Sequence, residues 1–424
     1  MYQKLNPQDV EIMAPVGSYE SLSAAIQGKA DTVYFGIGHL NMRSRSTQNF
    51  TIDDLKNIAD ICRKNNLRSY ITLNTEIFDE ELGMMRVIVD EAKKSGITAI
   101  IAADQAVIQY ARQVGMEVHM STQSNITNIE AVRYYAQFAD VMVTARELNL
   151  GQVKKITEEI EKQQVKGPSG RLVKIELFAH GALCMAVSGK CYLSLDTMNS
   201  AANRGACLQL CRRPYRVFDR DGEVELAIDN QYILSPKDLK TIDFIDKILD
   251  AGVRVLKIEG RGRSPEYVKT VTRCYREAVN AHCEGTFNPN KLETWNMELG
   301  TIYNRGFWDG YYLGRRLGEW SAGYGSQATR KKIYVGKITN YFAKSKIAEV
   351  KIEAQPLRKG DDILVLGPTT GVAEARAGEI WLDEKPVDEV RRGDLCTIPI
   401  DTYLRLSDKL YKWVDAKEVE GQHD

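Results

Sequence analysis

Between residues 10 and 260, short β-rich runs alternate with amphipathic stretches, and this alternation constrains the fold more than any other feature of the chain. The β-rich runs are Glu11–Ala14, Thr32–Phe35, Ser69–Leu73, Thr98–Ala102, Glu117–Met120, Val141–Thr144, Ile175–Ala179 and Val253–Ile258. Most are separated by a helical stretch. Ile52–Lys64 is entered through Thr51, with Asp54 three positions on as a capping partner, and Asp79–Lys94 stops at Ser95-Gly96. Eight strands with crossover helices predict a closed parallel (β/α)8 TIM-like barrel, an α/β fold, rather than an open sheet. The turn after the first strand, Ala14-Pro15-Val16-Gly17-Ser18, carries neither G-x-G-x-x-G nor G-x-x-x-x-G-K, the phosphate loops of an open doubly wound sheet.

The spacing breaks once. Seven strands arrive by residue 180 and the eighth waits until about 253, so 181–235 is an insertion after the seventh strand, at the barrel end where active sites are built. A structureless loop of that length needs something to tie it together. The insertion holds Cys184, Cys191, Cys207 and Cys211 in the spacing C-x6-C-x15-C-x3-C, while Cys62, Cys274, Cys283 and Cys396 are scattered. Four soft thiolates suit tetrahedral zinc or an iron–sulfur cluster. Zinc knuckles use two close pairs, and the wide first gap favours a 4Fe–4S cluster. Unliganded burial of some of the thiols is the third reading.

The barrel with its insertion is assigned to 1–265 and a helical, aromatic connector to 266–330, entered through Ser264-Pro265. A small antiparallel β-barrel is assigned to 331–415 and a polar, frayed tail to 416–424. The chain of 424 residues balances 57 Lys+Arg against 57 Asp+Glu, which excludes a generally basic nucleic-acid binder but not a local basic face. Its longest uncharged run, Leu177–Gly189, is 13 residues, too short to span a bilayer, and the N-terminus lacks a signal-peptide core. A cytoplasmic protein without membrane contact is expected. No motif fixes the oligomeric state.

Side chains at the C-terminal strand ends converge over a barrel and make its active site. They are Arg43 and Arg45 after the second strand, Asn74 after the third, Gln123 after the fifth, and Arg146 and Glu147 after the sixth. His180 closes the seventh, and Lys257, Glu259 and Arg261 end the eighth. His180, Glu259 and Lys257 are the catalytic candidates. His119, mid-strand on an apolar run, reads as a core residue, and Glu176 as an inward partner of Lys257. A peptidase would need machinery such as H-E-x-x-H or G-x-S-x-G, which is absent. Cys184 with His180 is the one conceivable nucleophile–base pair.

The segment Glu176–Ser194, with Gly181-Ala182-Leu183-Cys184, Gly189, Cys191 and Leu193-Ser194, resembles the signature of the collagenase-like peptidase family U32. So do Ala202-Asn203-Arg204-Gly205, Cys207, Cys211-Arg212, Leu256–Arg261, Ala14–Gly17 and Tyr34-Phe35-Gly36. The resemblance spans essentially the whole chain. It implies an anaerobic-type hydroxylase with a 4Fe–4S cluster on Cys184, Cys191, Cys207 and Cys211. The chain is most similar to members that hydroxylate the wobble uridine of tRNA using prephenate; other members act on 23S ribosomal RNA or a quinone precursor. For a dicarboxylate such as prephenate, bidentate guanidinium is the natural partner, which nominates Arg43, Arg45, Arg146 and Arg261, with Asn74 and Gln123 beside them. The alternative for these arginines is ion pairing with neighbouring acids, Arg146 with Glu147 or Arg261 with Glu259. A tRNA anticodon loop is the expected partner. It would meet Arg204, Arg212, Arg213 and Arg216, or Arg330, Lys331 and Lys332, with Tyr192, Tyr215 and Tyr232 available for base stacking.

Overall fold

The computed structural model describes residues 5–45, 49–216, 232–314, 318–323 and 325–417. The middle of the insertion (217–231) and the tail beyond 417 lie outside those residues. Eight parallel strands close a barrel: Glu11–Pro15, Thr32–Gly36, Arg68–Leu73, Ala99–Ala102, Glu117–Met120, Val141–Val143, Lys174–Ala182 and Val255–Ile258. Each pairs with the next, and the eighth closes the ring by pairing with both the first and the seventh, Val255 lying beside Glu11 and Glu176. The seventh strand runs three residues past its expected end. There His180, Gly181 and Ala182 pair antiparallel with Lys240, Leu239 and Asp238 of a short strand, Asp238–Lys240, on the return of the insertion.

The helices form where apolar residues recur at helical spacing. Asp54–Lys64 buries Leu55, Ile58, Ala59 and Cys62, a single stripe facing the barrel. The Asp54 carboxylate accepts from both the backbone N–H and the hydroxyl of Thr51 at 2.8 Å, so the predicted cap forms in one direction only. One 3-10 turn, Asp79–Glu81, leads into the helix Leu82–Ser95, which stops at Gly96 with φ +83°.

Inside the ring, Met13, Tyr34, Tyr70, Ala99, Ile101, Val141 and Val255 form a separate apolar layer, so the barrel is a packed core and not a pore. At its lower end Tyr70 donates to Glu11, and Arg68 and His119 both engage Glu117. His119 is buried there, as its mid-strand position predicted.

The helix Pro265–Glu284 follows Ser264, and a second helix, Pro289–Thr301, completes the expected helical connector. The C-terminal region is an eight-stranded antiparallel sheet with its own apolar core. Leu364, Leu366 and Val372 from this region pack into the barrel's core instead, and the Gln27 amide bonds Thr370 and Val372 across the junction. The sequence marks strands at KIYVGKITNYF, KIAEVKIEA, DDILVLG, EIWLDE and DLCTIPI; Gly371–Arg376, Lys385–Val387 and Lys409–Asp415 of this sheet lie outside those runs.

Candidate active site

A cavity of about 590 Å3 opens at the C-terminal end of the barrel strands, between the strand ends and the insertion. Its walls include Tyr34, Arg43, Asn74, Gln123, Arg146, Phe178, Lys257, Glu259, Arg261 and all four insertion cysteines. The expected convergence of strand-end groups and thiols on one space is therefore what the fold produces.

The floor is a web of polar pairs. Arg43 donates to Glu259 at 2.7 Å, and Tyr34 donates to the Glu259 carboxylate and the Ile258 carbonyl. Arg261 is held by Asn41 at 3.0 Å and Thr72 at 2.8 Å. Burial alone would push the Glu259 carboxyl up, but the charges of Arg43 and Arg261 hold it below the ordinary carboxylate range. Burial also draws Arg261 down to about 10, so it remains a cation at neutral pH. Lys257 donates to Glu176 at 2.9 Å, the inward pairing expected of those two residues. Asn74 bonds Ser121 and Gln123, and its carbonyl accepts from the Met42 N–H, which fixes the loop that carries Arg43.

The acid pairing of the arginines differs from that expected. Glu259 takes Arg43 as its hydrogen-bonded partner and lies electrostatically close to Arg261. Arg146 lies 5.8 Å from the Phe178 ring centre, its Nη2 reaches the Ala186 carbonyl at 3.5 Å, and its buried Nε has no partner among the described residues. Arg45 is exposed, away from the cavity wall, with its backbone N–H directed at the Gly205 carbonyl.

His180 requires a correction. It lies on the seventh strand, which runs on to Ala182, and has the same parity as the inward-facing Glu176 and Phe178. An irregularity in the pairing with the eighth strand between Phe178 and His180 breaks that alternation, and its ring packs outward among Tyr267, Tyr275 and Phe307. It is buried, contacts the Tyr275 hydroxyl at 3.4 Å, and is not part of the cavity wall. Burial, with the nearby Lys240 and Arg263 charges, lowers its pKa to about 3, so it is a neutral packing residue at physiological pH. No histidine lies in the cavity wall among the described residues, which leaves Cys184 without the base that a peptidase would need.

The thiols sit on irregular backbone. Cys184 is exposed toward the mouth, Cys191, Cys207 and Cys211 are partly buried, and all are free. Burial pushes the Cys211 thiol up; Arg212 opposes this, while Cys184, Cys207 and Cys191 add to it, so the other three sulfurs each lie within electrostatic reach of Cys211. Arg212 is the local fastener. Its guanidinium donates to the Leu183 carbonyl at 2.7 Å, the Pro236 carbonyl at 2.5 Å and the Ser235 hydroxyl at 3.0 Å, joining both roots of the insertion. The sequence offers Arg212 as an RNA contact; the structure instead finds its half-buried guanidinium engaged in these three bonds. Arg204 is likewise engaged, over the Phe78 ring and paired with Glu81, while Tyr192 is the exposed aromatic of the expected stacking set. Among the described residues no three or more His, Cys, Asp or Glu side chains are grouped to hold a metal ion. Four thiols and no imidazole line the cavity among the described residues, a donor set that suits either tetrahedral zinc or an iron–sulfur cluster. No helix among the described residues is long and apolar enough to cross a membrane.

A family model described as Peptidase family U32 matches residues 17–322. A Porphyromonas gingivalis protein named Collagenase is 57% identical over 98% of this chain and 100% of its own length. The Bacillus subtilis tRNA hydroxylation protein P1 is 31% identical, covering 84% of this chain and 83% of that one. An Escherichia coli 23S rRNA 5-hydroxycytidine synthase is 29% identical over 89% of this chain and 57% of its own length.

Proposed function

The chain belongs to peptidase family U32, and on that premise we propose that it is an RNA hydroxylase that converts the wobble uridine of tRNA to 5-hydroxyuridine, with prephenate as co-substrate. Relatives named for tRNA hydroxylation and for 5-hydroxycytidine synthesis support an RNA base as the target. The observation that carries the reading is the cavity itself, where four free thiols face a floor rich in guanidinium groups.

Cys184, Cys191, Cys207 and Cys211 would hold a 4Fe–4S cluster. A bound cluster would supply electron transfer. The rest falls to the chain's own groups. Arg146, with an unpartnered Nε and a weakly engaged Nη2, binds a carboxylate of the co-substrate, and Arg43 and Arg261 keep the floor positive. Phe178 and Tyr34 give apolar walls, and Glu259, held ionised by its two arginines, accepts hydrogen bonds from the ligand. The base reaches the cavity by leaving its stack, and Tyr192 at the exposed rim provides a stacking surface.

The name Collagenase on the Porphyromonas relative is the rival reading. The absence of a histidine from the described cavity wall weighs against it. Anaerobic purification with iron and sulfide analysis should give about four of each per chain. Nucleoside mass spectrometry of a deletion strain should show loss of 5-hydroxyuridine derivatives from tRNA. Iron-free protein that cleaves collagen, with unchanged tRNA in the deletion strain, would overturn the proposal.

A further inference from the structure

Lys257 is the buried amine of the cavity. Its side chain is 6% exposed and that of its partner Glu176 is 0% exposed, yet Lys257 forms part of the wall. Its Nζ lies 4.7 Å from the Tyr34 ring centre and 5.6 Å from that of Phe178. A buried ion pair is a poor stabiliser, since well-packed apolar side chains of similar volume commonly do as well. This pair is also incomplete, because the second Glu176 oxygen is buried without a partner among the described residues. A buried carboxylate beside an amine that opens on a cavity, on the last strand of a barrel, is an arrangement for moving a proton. The guanidinium groups of Arg43, Arg146 and Arg261 in the same cavity select a ligand bearing a carboxylate.

We propose that Lys257 is a carbonyl-reactive amine that forms a Schiff base with a 2-oxo acid, with Glu176 as its proton acceptor and donor. Glu176 takes one proton from the ammonium, and the freed lone pair attacks the keto carbon as the carbonyl oxygen gains a proton. The C–O bond of the resulting carbinolamine then breaks and water leaves. Ammonium and ketone thus become iminium and water, with no oxidant or reductant required. The iminium carries the same single positive charge as the ammonium, so the Glu176 carboxylate and the two rings stabilise it in the same way. The inference rests on the carboxylate-binding part of the preceding reading, and not on the RNA or the cluster.

The test is reductive trapping. The full-length, anaerobically prepared protein is incubated with pyruvate and sodium cyanoborohydride, then digested and mapped by mass spectrometry. The expected result is a reduced pyruvyl adduct on Lys257, absent with lactate, which has no keto group. Lys257→Arg, which keeps the charge opposite Glu176, should lose the adduct, and Glu176→Gln should slow its formation about a hundredfold. Peptide mapping of the unaltered protein locates the label even if those variants fold poorly. No adduct, or one scattered over surface lysines, would overturn the inference. Because trapping needs neither tRNA nor turnover, a Lys257 adduct in a protein that leaves tRNA unmodified would sustain this inference while the proposed function fell. Hydroxylation without an adduct would do the reverse.

Discussion

The floor of the cavity and its cysteine-bearing roof are built by opposite strategies. On the floor, the strands and the loops at their ends place most polar groups against a partner: Arg43 on Glu259, Arg261 on Asn41 and Thr72, Lys257 on Glu176, Asn74 on Gln123. In the roof, short helical turns such as Leu193–Met198 and Ala202–Arg204 alternate with loops. The cysteines there are free, and the hydrogen bonds that shape the roof come from Arg212, from Ser194 and Ser200, and from Ser188 against Thr122. The floor is preorganised by the barrel; the roof relies on a few side chains and on whatever its sulfurs bind. The floor should therefore tolerate loss of a cofactor, and the roof should not.

The largest effect that would test this contrast is at Cys207. Cys207→Ala should abolish both cluster absorbance and tRNA hydroxylation while leaving the barrel's cooperative thermal unfolding in place. Full iron retention in that variant would break the contrast. On the floor the expected effect is smaller and confined to binding. Arg146→Ala should raise the KM for the carboxylate co-substrate by about 10–100-fold, the cost of losing a charge-assisted hydrogen bond, with iron content unchanged. Arg146→Lys should recover only part of this, because an ammonium lacks the planar fork. The smallest effect is outside the cavity. Neutral and buried, His180 refuses the proton that the unfolded chain accepts below about pH 6.5, so stability should fall as pH drops from there toward about 3. His180→Gln should flatten that slope in denaturant titrations at neutral pH and at about pH 5. An unchanged slope would show that His180 does not carry it.

The barrel was legible because its eight strands carry dense Val, Ile and Leu runs, and the helices between them carry a clear apolar stripe. The insertion was legible as a gap in that period, and its four cysteines as groups meeting at one cavity from their presence on it. What sequence could not reach was side-chain direction. His180 and Lys257 both lie near the upper ends of their strands, but an irregularity in strand pairing just after Phe178 turns the first toward Tyr275, while regular alternation turns the second into the cavity. Nor could it rank the arginines: Arg43, Arg45, Arg146 and Arg261 look alike until Glu259, Asn41 and Thr72 are seen to engage two of them and Arg45 is seen at the surface. Gly371–Arg376 escaped notice because its Ala and Glu residues have little strand propensity, and only pairing with Asp362–Gly367 makes it a strand.

The seventh strand has a consequence for how such proteins diversify. Among the described residues the excursion leaves and rejoins the barrel at an antiparallel clasp, Ala182 beside Asp238 and His180 beside Lys240. Arg204 on Glu81, Gly205 on Arg45 and Ser188 on Thr122 stitch it down again further out, so a recut or exchanged segment would have to reproduce those footholds to leave the rim below undisturbed.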